Sequence, residues 1–361
     1  QYDKASSFVE RQEKLETIVA FDADVTMDGA RSLHLDGLLA RGRASGRDAE
    51  LEARLAQVSS DDVATLIYTS GTTGVPKGAI LTHANFFHQF AAVDDRFVVG
   101  PSDRSLCFLP LSHAYERAWS YYVFKRGAEN HYIPDPKRVV EYLAKVKPTV
   151  MVSVPLLYEK IYSTVQGRLE TASSTRRRLF AWAIETGKRY HTRRHAEQAI
   201  GPMLAFAHAV ADRLVLSKIR DVLGGPKNFL SAGGAPLTKK VEEFFFAAGL
   251  LVCQGYGLTE TAPMVSCNAP GAFKFGSVGR PVRDVEVRIG EGGEIQVRGP
   301  NVMAGYYRKP EETSRAFVDG WFRTGDVGEI DADGFLHVTE RIKDLIITSG
   351  GENVAPQHIE S

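Results

Sequence analysis

The chain has no uninterrupted apolar run near the roughly eighteen residues that a bilayer-spanning helix requires. Cysteine is scarce. The three present, Cys107, Cys253 and Cys267, form no C-x-x-C pair, which argues against a disulfide framework or a thiolate metal centre and suits a reducing compartment. Neither sign of charge dominates: Lys+Arg and Asp+Glu stand at 44 each, so the balance gives no case for nucleic-acid binding. Internal repeats and low-complexity tracts are absent. The opening, QYDKASSFVERQEKL, resembles neither a signal peptide nor a transit sequence and has no initiating Met, so a cytoplasmic protein given as a fragment is the expectation.

What is present is ordinary globular composition, 43% hydrophobic and 24% charged over 361 residues, enough for one large domain or two. Apolar runs alternate with helical patterns, which predicts an α/β fold with much parallel sheet. Strands are predicted over 63–68, 106–109, 150–154, 229–231 and 250–253, and helices over 84–92, 156–166, 175–196 and 238–247. Beyond residue 278 the texture changes to short alternating runs, VEVRIG, GEIQVRG and GFLHVTER, parted by Gly-Gly and Asp-Gly turns, which predicts a small β subdomain.

The stretch IYTSGTTGVPKGAILTH, residues 67–83, is the densest in anion-binding chemistry. Gly71, Gly74 and Gly78 let successive N–H groups turn toward one anion, Thr69, Ser70, Thr72 and Thr73 add hydroxyl donors, and Lys77 adds a positive charge. Leaving a strand end, such a loop suits a polyphosphate. It is not the P-loop of nucleotidases, because Lys77 lies between Pro76 and Gly78 and no G-x-x-x-x-G-K-[ST] is present. By itself it also fits a polar surface turn.

Five stretches occur in order: YTSGTTGVPKG at 68–78, FLPLSHAYER at 108–117, SAGGAPL at 231–237, QGYGLTETA at 254–262, and WFRTGDVGEIDADGFLHVTERIKDLIITSGGENVAP at 321–356. Together they resemble the adenylate-forming enzyme superfamily of acyl-CoA synthetases, luciferases and peptide-synthetase adenylation domains, over about residue 61 to the last. The resemblance implies a large α/β adenylation domain of mainly parallel sheets flanked by helices, a small β subdomain, and a mobile C-terminal domain missing from this chain. The corresponding boundaries are 1–276 for the α/β portion with a truncated start, 277–340 for the β-rich part, and 341–361 for the hinge and the start of the C-terminal domain. It implies a reaction in which a carboxylate attacks the α-phosphate of ATP, pyrophosphate leaves, and the acyl adenylate is captured by coenzyme A.

On the matching positions, the resemblance assigns Thr69, Ser70, Gly71, Thr72, Thr73, Gly74 and Lys77 to the β- and γ-phosphates. Gly233, Gly234 and Ala235 would lie against the adenine and acyl group, Tyr256 and Gly257 against the base, and Thr259 at the α-phosphate, with Glu260 as a hard oxygen ligand for Mg²⁺. Asp326 would accept from the ribose hydroxyls and Arg341 would add donors there; His113 would line the acyl tunnel, and Lys343 is the matching hinge position. The separate residue chemistry agrees, because carboxylate and ATP are both anionic and their reaction needs neutralised phosphate charge and fixed orientation. Each motif alone has a plainer reading: a Gly-rich turn, a hydrogen-bonded helix-start histidine, solvated charges.

Almost seventy residues separate PLLYEKIY from SAGGAPL, and this long helical segment resembles long-chain fatty acyl-CoA synthetases rather than peptide-synthetase domains. The expected partners are therefore a long-chain fatty acid, ATP and coenzyme A. A fatty acyl-AMP ligase that stops at the adenylate, and a catalytically incomplete acyl- and nucleotide-binding fragment, are the alternatives. A protein kinase is disfavoured because H-R-D and D-F-G signatures are missing. Residues 175–195 carry Arg176, Arg177, Arg178, Lys188, Arg189, Arg193 and Arg194 around Leu179, Phe180, Trp182, Ala183 and Ile184. That pattern suits a domain helix with a solvated basic face, or a helix lying peripherally on the inner membrane surface.

Overall fold

The computed structural model describes residues 2–9, 11–12, 14–27, 31–69, 75–341, 346–347 and 353–354. The chain divides into two compact units, Gln1–Ser59 and Ser60–Ser361. In the first, strands β1 (Ile18–Ala20) and β2 (Ser32–His34) pair in parallel beside helices Tyr2–Val9, Leu35–Ala44 and Asp48–Gln57. None of these elements was predicted. The helices 35–44 and 48–57 bury no residue, so the core-facing stripe that marks a helix in sequence is missing from them.

The second unit begins with a hairpin, β3 (Val63–Thr69) and β4 (Lys77–Thr82), paired antiparallel with Thr69 opposite Lys77. The first apolar run is the predicted strand, but it stands in a separate small sheet with β4 and not in the parallel one, as its antiparallel pairing with the next strand in sequence requires.

The main sheet comprises β5 (Arg104–Cys107), β6 (Glu129–Tyr132), β7 (Val150–Ser153), β8 (Phe229–Ala232), β9 (Val252–Gly257), β10 (Met264–Cys267) and β11 (Arg280–Pro281). Their order is β11-β10-β9-β8-β7-β5-β6, parallel from β6 to β9 and antiparallel at β10 and β11. Side-chain alternation explains the sealed interior. Val150 and Val152 of β7 join Phe229, Cys253 and Trp119 in one core cluster, while Met151 between them joins Leu106, Leu230 and Val252 in another. A strand buried on both faces must read as a continuous apolar run, which is why these strands were legible.

The expected β region is an antiparallel sheet built from β12 (Glu286–Ile289), β13 (Glu294–Arg298), β15 (Phe317–Val318), β16 (Trp321–Ile330) and β17 (Leu336–Arg341). A short strand, β14 (Gly305–Tyr306), leaves it to pair with β4. The long insertion between β7 and β8 folds into helices Pro155–Glu170, Ser174–His195 and Pro202–Ala211, a π-helical segment, and Ser217–Val222. Gly187 lets helix 174–195 meet helix 239–247, since a Cβ there would lie 2.1 Å from the Ala247 carbonyl oxygen. Among the described residues no helix is long and apolar enough to cross a membrane.

Candidate active site

The carboxyl ends of β8 and β9 carry the predicted motifs to one place, as strand ends do in open α/β sheets. The GYG stretch is not a loop but the end of β9, and β10 folds straight back on it. Only glycine permits this at Gly257, where a Cβ would come within 1.8 Å of the Pro263 carbonyl oxygen. The following turn, Thr259–Thr261, places Thr259 half-buried beside Glu260, which is 9% exposed. Glu260 Oε1 accepts hydrogen bonds from the Tyr306 hydroxyl at 2.9 Å and the Thr69 hydroxyl at 3.5 Å. The Met303 amide also donates to its carbonyl at 2.8 Å.

These contacts bring the start of the Gly-rich loop to the TET turn. Lys77 is ion-paired with Glu312, and its Nζ stands 5.3 Å from the centre of the Tyr306 ring. Its bond holds the Glu312 carboxyl below its ordinary range. Ser70, Gly71, Thr72, Thr73 and Gly74 lie outside the described residues, as does Lys343.

Asp326 marks the opposite end. It is 4% exposed, accepts from the Tyr256 hydroxyl at 2.7 Å on Oδ2 and from Arg341 Nε at 2.9 Å on Oδ1, and so has both oxygens engaged. Burial, reinforced by the Asp326 charge, pushes the Tyr256 phenol well above its ordinary pKa and keeps it a donor. The turn carrying Asp326 is built by buried Glu294, which accepts from Arg323 Nε at 2.9 Å and the Gly325 amide at 3.2 Å. Thr324 completes it by donating to the Ile295 carbonyl at 2.7 Å.

Between these ends lies a cavity of about 380 Å³, walled by Gly234 to Leu237, Gln254 to Gly257, Gly276, Asp326 and the end of β17 through Arg341. A second cavity of about 180 Å³ shares Gly234, Gly255, Tyr256 and Gly257 with it and adds His113, Gly233 and Thr259. A third, of about 60 Å³, is lined chiefly by Phe90, Phe97, Trp119, Tyr122 and Phe229. The last two share Tyr115, Ser231, Pro263, Met264 and Cys267. The order is thus a polar pocket, a mixed junction and an apolar pocket. Gly234 and Ala235 line the polar pocket, and Gly233 and Gly234 line the junction.

His113 is exposed and occupies the N-cap position of helix Ala114–Lys125, but its side chain makes no capping bond and instead lines the junction. Sequence reasoning missed the residues that fix its loop. Buried Glu116 accepts from the Leu109 amide at 3.2 Å and the Ser120 hydroxyl at 3.4 Å, and burial pushes its carboxyl up to about 7. Gln254 and Glu242 were missed as well. Gln254 Oε1 accepts from the Leu237 amide at 2.8 Å, and its Nε2 donates to Glu242 at 3.3 Å, while the other Glu242 oxygen accepts from the Gly276 amide at 2.7 Å. Glu116 and Gln254 lie inside motifs already singled out, but Glu242 carries no sequence signal beyond a charge on an otherwise apolar helix face.

Among the described residues no group of three or more His, Cys, Asp or Glu could hold a metal ion. A divalent cation here would lean on the Glu260 carboxylate together with ligand oxygens and water, a donor set that suits Mg²⁺ bound to a nucleotide.

The AMP-binding enzyme family profile matches residues 5–307. The chain is 44% identical over 330 residues to a long-chain-fatty-acid–CoA ligase, FadD15, of Mycobacterium bovis, covering 90% of this chain and 54% of the relative. It is 35% identical to the Arabidopsis thaliana long-chain-fatty-acid–[acyl-carrier-protein] ligase AEE15, covering 84% of this chain and 48% of the relative. Its structure resembles O-succinylbenzoate coenzyme A synthetase (MenE) from Bacillus subtilis in complex with ATP and magnesium ion, with a TM-score of 0.60 and 26% identity over 84% of this chain and 55% of that one. The chain spans about half the length of the curated relatives it matches.

Proposed function

The chain belongs to the AMP-binding enzyme family, and from that premise we propose that it carries the adenylation site of a long-chain fatty acid–CoA ligase. The observation that carries this reading is the run of three adjoining cavities, polar at Asp326, mixed at His113 and Thr259, and apolar at Trp119. Its sequence of chemistries matches nucleoside, reacting carboxylate and acyl chain. Asp326 accepts from the ribose hydroxyls, with Arg341 and the Tyr256 hydroxyl fixing its rotamer; the Tyr256 backbone and the 233–235 loop border the adenine. Thr259 reaches the α-phosphate, and Thr69 and Lys77 face the leaving pyrophosphate once Lys77 leaves Glu312.

In the reaction, a carboxylate oxygen bonds to the α-phosphorus as the bond from that phosphorus to the bridging oxygen of pyrophosphate breaks. No proton is abstracted, because the acid is already ionised, so His113 acts as a wall between acid and adenylate. The Glu260 carboxylate fits the role of holding Mg²⁺, which when bound neutralises phosphate charge. Thioester formation follows when coenzyme A displaces AMP. An acyl-carrier-protein acceptor is the second reading, favoured by the likeness to AEE15.

The domain reading keeps 1–276 as the α/β portion, 277–340 as the β-rich part and 341–361 as the hinge region; the sheet running from Glu286 to Arg341 supports its middle member. We also infer a cytoplasmic protein with peripheral membrane contact, since a long-chain acid partitions into lipid. ATP–pyrophosphate exchange across a panel of acids, followed by an assay of coenzyme A consumption, tests the function in the full-length protein that carries this chain. Exchange that is strongest with long-chain fatty acids and coupled to thiol loss is the expected result. Exchange driven by amino acids, or none with any acid, overturns it.

A further inference from the structure

We propose that the outer face of helix Pro202–Ala211, with the arginines beside it, is the surface that docks on an anionic lipid bilayer. This deepens the peripheral contact inferred above and assigns it to a different helix. On helix Ser174–His195, Phe180 and Ile184 pack against the core, Phe180 stacks on Phe244 at 6.4 Å and Ala183 is fully buried, which leaves Leu179 and Trp182 partly exposed. Helix 202–211, PMLAFAHAVA, is apolar almost all round, yet it buries only Ala211. Met203 is 85% exposed and Phe206 74%, among the most exposed large apolar side chains in the protein, and Leu214 continues their line. An apolar helix with an uncovered face marks an interaction surface.

The charge around it names the occupant. Tyr190 and His208 stack with ring centres 3.7 Å apart, which sets Met203 and Phe206 beside the carboxyl-terminal half of helix 174–195. Arg189, Arg193 and Arg194 are exposed there, and Arg213 is exposed two turns beyond Phe206. Residues 188–213 hold five Lys and Arg against two Asp and Glu, whereas the whole chain is balanced at 44 each. Within that stretch Asp212 is paired with Arg220 and Lys188 with Glu243. Protruding apolar side chains beside a surplus of positive charge match the two needs of an interfacial helix: insertion below the headgroups and attraction to anionic lipid.

The test is co-sedimentation of the 361-residue chain with vesicles of phosphatidylcholine alone and with about 30% phosphatidylglycerol, an anionic fraction chosen to create a negative surface potential. No acid, ATP or coenzyme A is added, so a failure here leaves the ligase reading intact. Expected are binding to anionic vesicles only, and a loss of about tenfold or more for both Met203→Ser/Phe206→Ser and Arg193→Glu/Arg194→Glu. A Phe206→Trp variant should gain emission that shifts to the blue on vesicle addition and is quenched by shallow brominated lipid. Equal binding to neutral vesicles, or retention in both double variants, overturns the proposal. So does self-association in light scattering that the Met203→Ser/Phe206→Ser pair abolishes without vesicle binding by the parent, since the face would then join two copies of the chain.

Discussion

Glu116→Gln isolates the energetic cost of a carboxyl placed where water cannot reach. The side chain is fully buried, and desolvation pushes its pKa up to about 7 against hydrogen bonds from Cys107, the Leu109 amide and Ser120 that favour the charged form. The folded state therefore binds a proton more tightly than the unfolded chain, whose carboxyl titrates near 4.5. Stability from this group is complete below the unfolded value and is lost as pH rises through about 7. Linkage puts the loss at under about 1 kcal/mol near pH ~5 and at about 3 kcal/mol near pH ~8. Glutamine keeps the geometry, because its oxygen can accept from Leu109 and its amide can donate to Ser120, whose hydroxyl rotates to accept. The variant should thus gain about 2 to 3 kcal/mol on the wild type between those two pH values, by difference, with every other titration cancelling. Urea unfolding followed by tryptophan emission is the assay, since Trp119, Trp182 and Trp321 all lie in the second compact unit. A wild-type-to-variant difference that does not change with pH would refute the burial argument.

Asp326→Asn keeps the size of the side chain but removes the charge that Arg341 and Tyr256 address; nucleotide affinity measured by calorimetry should fall by about 2 kcal/mol, and unchanged affinity would detach Asp326 from the ribose. Thr259→Ala and Glu260→Gln in the full-length protein should each slow ATP–pyrophosphate exchange by the equivalent of about 2 to 4 kcal/mol, and wild-type exchange in either would remove that residue from the phosphate site. Gly257→Ala forces β10 away from β9, so a melting experiment should show about 3 kcal/mol of destabilisation, and a neutral result would mean that the strand end is not as tightly apposed as its 1.8 Å Cβ approach implies.

The sequence by itself determined the family and the α/β architecture, and it singled out Gly234, Ala235, Tyr256, Gly257, Asp326 and Arg341, which line the first cavity. Strands such as β7 and β8, buried on both faces, can only be apolar runs, and the glycines of GYG and SAGGAPL are required wherever backbone must approach backbone or ligand. Tertiary structure decided what those residues do to one another. Tyr256 and Asp326, 70 positions apart, meet because the end of β9 and the middle of β16 border one cavity, and the tyrosine expected against the base donates its hydroxyl to the carboxylate. Lys77 is met by Glu312 from 235 residues away, and Glu260 by Tyr306. Glu116, Gln254 and Glu242 could not be told from surface polar residues by type alone, since burial is a property of packing and not of spelling. The same holds for helix 202–211, whose apolar composition suggests an interior that only the folded chain shows it does not occupy.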